Sequence, residues 1–134
     1  MSSYRSKNRC KFYLKIHLIF VCKYRKQLLS NTTINQDIKS IIYDIEKISE
    51  FAIDIMETDK DHIHILINIT PNYSIRSIVN RIKSITTHRI WQKHSNILKQ
   101  HFWKEKTFWS DGYFACSIGE ASPETIRKYI ENQG

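Results

Sequence analysis

The stretch FAIDIMETDKDHIHILINI, Phe51–Ile69, decides the architecture. Its first part, Phe51 to Glu57, alternates, with Phe51, Ile53 and Ile55 on one side of an extended chain. Thr58 to Asp61, TDKD, is a polar turn, and Asp61 to Ile69 reads as the next strand. Two such strands around so short a turn predict a hairpin. In the second strand His62 and His64 point one way, while Ile63, Ile65 and Ile67 point the other. The isoleucines are suited to meet a helix layer. The imidazoles then open onto the uncovered face.

Upstream, Phe12 to Tyr24, FYLKIHLIFVCKY, is rich in aromatic and β-branched residues and predicts a buried strand. Asn31, Thr32 and Thr33 offer helix caps. Ile34, Ile38, Ile41, Ile42, Ile45 and Ile48 then recur at threes and fours, which makes one apolar helix face. Downstream, Pro71 and Asn72 break the hairpin. Ser74 can cap a second long helix with Ile75, Ile78, Val79, Ile82 and Ile85 facing inward. Its other side carries Arg76, Asn80, Lys83 and, a little round, Arg81. Phe108 to Ser117, FWSDGYFACS, predicts a last strand or strand pair bent at Gly112, and Gly119 loosens the chain after it. Ser122, Pro123 and Glu124 suit the start of a final helix. The first six elements give strand, helix, strand, strand, helix, strand. That is the α+β class, with a ferredoxin-like, RRM-like split βαβ antiparallel sheet and helices on one face.

The 134 residues fit one domain, residues 1–134, with a core at about 10–118 and a last helix at about 122–133. Lys and Arg total 21 against 13 acids, for a net charge of +8. The surplus points to a polyanion, nucleic acid before membrane, although a merely solvated basic surface has the same composition. Cys10, Cys22 and Cys116 are odd in number and lack metal-binding spacing, so neither a disulfide framework nor a thiolate zinc site is expected. They suit a reducing cytosol. No signal peptide and no membrane span is expected.

Two imidazoles two residues apart on a strand can share one metal ion. On the pair alone, two partly exposed histidines that merely hydrogen-bond are the stronger reading. The last helix, SPETIRKYIENQG, carries Tyr129 and Gln133 four residues apart on one face. Gln133 offers a carbonyl oxygen to a cation, and Tyr129 a phenol one turn away; a Tyr packed under the sheet and a frayed Gln are the ordinary expectation for such a helix on its own. His17 lies between Ile16 and Leu18 on the first strand and reads as a hydrogen-bonded structural histidine beside the site.

Four ordered segments carry a resemblance that spans nearly the whole chain. His17–Leu29, HLIFVCKYRKQLL, resembles a first-strand signature with its Lys23-Tyr24-Arg25 run. Asp61–Ile67, DHIHILI, resembles the His-hydrophobe-His metal strand of HUH single-strand endonucleases. Phe108–Gly119, FWSDGYFACSIG, resembles a Trp-containing strand before a hinge. Ile126–Gln133, IRKYIENQ, resembles a nucleophile helix. Together they resemble the single-tyrosine transposases of insertion sequences, the insertion-sequence-200-like group. Lys60 stands where such proteins often have proline.

The resemblance implies a C-terminal helix that carries the nucleophile. Tyr129 would attack a phosphate of single-stranded DNA and form a 5′-phosphotyrosine, and a later 3′-hydroxyl would rejoin the strands. His62, His64 and Gln133 would hold Mg²⁺ or Mn²⁺. It further implies DNA hairpins at the element's ends as the partner, a homodimer with active sites shared between subunits, and action in the cytoplasm of a prokaryotic cell, at the nucleoid. Lys23, Arg25 and Lys26 after the first strand, and Arg76, Arg81, Lys83, Arg89 and Lys93 along the second helix, are the candidate phosphate contacts. Tyr24, Trp103 or Trp109 could stack on unpaired bases, with core packing the stronger expectation for Trp109 and Phe114. The alternative is a domesticated protein that binds hairpins or single strands without strand transfer. A metal hydrolase that activates water with the two histidines would need no tyrosine.

Overall fold

The hairpin forms, and two further strands extend its sheet beside its second strand. The computed structural model describes residues 5–7, 10–12, 14–117 and 123–133. Its strands are β1 (Arg5–Lys7), β2 (Cys10–Phe12), β3 (Lys15–Val21), β4 (Ala52–Thr58), β5 (His62–Asn68) and β6 (Phe114–Ser117). Its helices are α1 (Thr32–Lys47), α2 (Ile75–His101) and α3 (Pro123–Glu131). β1 and β2 pair with each other, and the remaining strands form an antiparallel sheet in the order β4-β5-β3-β6. With α1 after β3 and α2 after β5, this is the split βαβ arrangement expected from the sequence.

Register decides the two faces. Leu18 lies opposite Ile65, and Phe20 opposite Ile63. These residues join the isoleucines of α1 and α2 in one core. Ile19 lies opposite His64 and Phe114, Val21 opposite His62, and His17 opposite Leu66 and Cys116, so the histidines share the second face with apolar neighbours.

Several local expectations are corrected. The first strand is shorter than Phe12–Tyr24: Phe12 belongs to β2, and residues Lys23–Arg25 coil into a 3₁₀ turn. The β4 alternation breaks where the register shifts between Ile53 and Ile55. A bulge adds one residue and reverses the facing of the residues beyond it. Met56 therefore packs on the core with Ile53, and Ile55 is left 50% exposed. Ile48 is 74% exposed, because α1 ends at Lys47 and the next residue turns away from the apolar face. The caps fall where the side-chain chemistry asks for them. Asn31 accepts from the Ile34 amide at 3.0 Å, and Ser74 from that of Ser77 at 3.1 Å.

Helix α2 runs 27 residues and carries its buried stripe on through Ile90, Trp91 and Leu98, with a break in helical geometry at His94. The His94 imidazole meets Asp37 of α1 at 2.5 Å. The Phe108–Ser117 segment bends as expected. Trp109 bridges to Cys22 and the Ser110 amide donates to Val21, after which β6 resumes along Ile16–Ile19. The Lys83 ammonium fills the bend, donating to the carbonyls of Ser110, Asp111 and Gly112 at 2.7, 3.0 and 3.2 Å. The expected hinge at Gly119 and cap at Ser122 lie outside the described residues. No described helix is long and apolar enough to cross a membrane.

Candidate active site

His62 and His64 lie on the second face as strand alternation requires, with ring centroids 5.1 Å apart. Asp61 immediately precedes them. Its Oδ1 is 2.8 Å from His62 Nδ1, and its Oδ2 accepts from Arg25 Nε at 3.3 Å. A carboxylate on Nδ1 fixes the ring and leaves Nε2 as the free nitrogen, the usual second partner of a metal-bound histidine. Burial works to raise the Asp61 pKa, but the bonds from His62 and Arg25 outweigh it and hold the carboxyl below the ordinary range. Burial depresses the His64 pKa, and the neighbouring His62 and His17 add to the effect. His64 is thus held neutral, the form that ligates a cation.

His17 is the residue that sequence reasoning undervalued. Its ring meets that of His64 edge-on at 6.0 Å, so three imidazoles line up across β3 and β5. The expectation of a hydrogen-bonded structural histidine is half corrected: it stands beside the site, but its buried Nδ1 has no hydrogen-bond partner among the described residues. Alternation with Ile19 and Val21 was the available clue. Which strand lay next to it was not readable.

Helix α3 lies over this face, so the face is less open than expected. Ile130, Arg127 and Glu131 line a hollow with His62 and His64, and neither Tyr129 nor Gln133 lines it. Tyr129 is turned toward β6. Its ring is 5.6 Å from that of Phe114, and its hydroxyl is close enough to Gly112 that a β-carbon there would stand 3.7 Å away. The hydroxyl is buried without a hydrogen-bond partner among the described residues, and burial pushes the phenol up to about 12. Gln133 is half-buried, and its backbone N–H closes a turn by donating to the Ile130 carbonyl at 3.1 Å. No group of three or more His, Cys, Asp or Glu among the described residues is arranged to hold a metal. The two imidazoles do fit a cation, because they are adjacent, with His62 oriented by Asp61 and His64 favoured in the neutral form.

The basic residues divide by their partners. Lys23 is paired with Asp111 at 3.0 Å, Arg25 with Asp61 at 3.3 Å, and Arg89 with Asp44 at 3.1 Å. Lys93 stands 4.0 Å from Asp37, and Arg81 donates to Ser49. Lys83 is turned inward onto the three carbonyls, so its ammonium is committed to the fold. Burial lowers its pKa. Trp109 is buried with its indole nitrogen on Thr86 at 2.9 Å, as the core-packing expectation had it. Phe114 is only half-buried, against Tyr129.

Comparison with known proteins gives concordant results. The family described as "Transposase IS200 like" matches residues 10–133. The ISDra2 transposase TnpA of Deinococcus radiodurans is 30% identical over 122 residues, 91% of this chain and 85% of that protein. The transposase for insertion sequence element IS200 of Salmonella typhimurium is 24% identical over 133 residues, 99% of this chain and 85% of that protein. A crystal structure of a candidate transposase from Deinococcus radiodurans superposes with a TM-score of 0.85 at 30% identity, covering 96% of this chain and 98% of the other.

Proposed function

The chain belongs to the IS200-like transposases, and from that premise we propose that Tyr129 is the nucleophile with which it cleaves and rejoins single-stranded DNA at His62 and His64. The enzyme is an HUH-type transposase. The observation that carries the assignment of residues is topological: α3, with its tyrosine, packs over the same sheet face that presents the imidazole pair.

His62 and His64, with Gln133 as third ligand, would hold a divalent ion, Mg²⁺ or Mn²⁺, which when bound would supply polarisation of the scissile phosphate. Asp61 keeps His62 in the ligating tautomer. Tyr129 attacks phosphorus, the bond to the leaving 3′-oxygen breaks, and the phenol proton leaves with it. The product is a 5′-phosphotyrosine and a free 3′-hydroxyl. Attack by the 3′-hydroxyl of another strand reverses the step and releases Tyr129, so the phosphodiester energy is conserved. A phenol titrating near 12 and packed against Phe114 is a poor nucleophile. Catalysis therefore requires α3 to shift, bringing Tyr129 and Gln133 to the histidines. We assign this shift to DNA binding in a homodimer, with each α3 serving the partner's histidines, and DNA hairpins as the recognised ends. The side chains of Lys26 and Arg76 make no ion pair or hydrogen bond among the described residues and are the freest of the candidate phosphate contacts. Lys23, Arg25, Arg81 and Arg89 would have to exchange a protein partner for phosphate.

The test is a denaturing gel of labelled single-stranded DNA carrying a hairpin, incubated with the protein and Mn²⁺. A covalent protein–DNA band is expected, absent from Tyr129→Phe and from His64→Ala. Cut DNA without that band would indicate hydrolysis, and a shift in native gels alone would indicate a binding protein.

A further inference from the structure

Tyr24 and Trp103 are the most exposed aromatic rings among the described residues. Tyr24 is 60% and Trp103 78% exposed, whereas Trp91 and Trp109 are buried. They border one surface hollow of about 360 Å³ whose floor includes Phe102. The Tyr24 and Phe102 rings are 6.4 Å apart at 38°. Lys104 Nζ lies 4.6 Å over the Trp103 ring, and Lys23 Nζ 5.6 Å from that of Tyr24. Glu105 also borders the hollow.

The backbone that presents Tyr24 is costly. Tyr24 and Arg25 are consecutive residues with φ of 58° and 53°, the left-handed region that a bulky side chain disfavours. Glycine would make this turn freely. The strain is held from both ends. The Lys23 amide donates to Phe108 at 2.8 Å, and the Arg25 side chain bonds Asp61, which in turn bonds His62. A tyrosine forced outward, on a turn tied by two side-chain bonds to His62, is poorly explained by packing.

We infer that Tyr24 and Trp103 form a stacking subsite for one unpaired nucleobase of the single-stranded DNA, with its phosphate on Lys104. An exposed ring beside an ammonium is the pairing that takes a nucleotide without reading its sequence. The link through Arg25 and Asp61 would set the distance between the stacked base and the phosphate to be cut. This rests on the single-strand substrate of the preceding reading and adds where one base of it is held.

The experiment compares two labelled oligomers, octathymidylate and an abasic strand of equal length, binding to the full chain in EDTA so that nothing is cut. The wild type should bind octathymidylate about tenfold more tightly than the abasic strand, and only octathymidylate should quench its tryptophan emission. Trp103→Ala and Tyr24→Gly should each bring that ratio close to one. Tyr24→Gly should do so with an unchanged or raised melting temperature, because the turn is relieved. Trp103→Phe should keep most of the preference. A ratio unchanged in either variant, or no base-dependent quenching in the wild type, overturns the subsite. If the wild type still forms covalent complexes with Mn²⁺, only the subsite has failed. If it binds neither strand, the single-strand reading fails with it.

Discussion

Asp61 does at one position what no pattern of spacing announces. It bonds His62 Nδ1 and Arg25 Nε together, so one carboxylate orients an imidazole and ties down a strained turn. Replacing it with Asn keeps the shape and removes the charge. Asp61→Asn should lower Mn²⁺ affinity roughly 10- to 100-fold, as read by isothermal titration. His64 sets a pH limit. Burial and its imidazole neighbours place its folded-state pKa below the ordinary value of about 6.5, so the folded state binds fewer protons than the unfolded chain. Its contribution to stability is fully present above about pH 6.5 and is lost as pH falls from there through the lower folded-state value. The stability advantage of the wild type over His64→Asn should therefore shrink on acidification through that window. An advantage that grew would contradict the neutral imidazole.

At the scale of elements, the bend between Trp109 and β6 is held by a side chain from another element. Lys83 of α2 donates to three successive carbonyls there, and Gly112 of the same bend lies against the Tyr129 hydroxyl. Lys83→Met would keep much of the stem and strand those acceptors. A loss of about 2 kcal/mol in urea unfolding is expected. An unchanged midpoint would mean the ammonium is dispensable to the bend. Lys83 read as a phosphate contact because its helix face is otherwise basic; periodicity marks a face but not what docks beside it. The β4 bulge has the same lesson. Ile55 alternates correctly with Ile53 in the sequence, and one extra residue in the ladder sends it outward.

At the scale of the molecule, the proposed site needs α3 in an arrangement other than the one it adopts over its own sheet. Tyr129 lies toward β6 while Arg127, Ile130 and Glu131 face the histidine hollow. An exchange of α3 between two copies would let each subunit lack one half of the site. Mixing Tyr129→Phe chains with His64→Ala chains should then restore the covalent DNA band in a fraction of dimers, the heterodimers. Heterodimers confirmed by mass and still inactive would assign the site to a single chain.

The sequence by itself determined the four strands of the main sheet, the three helices, their order and the face of β5 that carries the imidazoles. These come from side-chain period, capping chemistry and turn residues, all of which act over a few neighbours. The expected shared helical face of Tyr129 and Gln133 is cut short, because α3 ends at Glu131 and Gln133 lies in the turn beyond it. Only the tertiary structure decided that His17 joins the histidine row, that Lys83 turns inward, and that Tyr24 and Trp103 stay exposed around one hollow. Each depends on which segment, far along the chain, comes to lie alongside, and that is fixed by strand register and by the packing of α2 and α3 on the sheet.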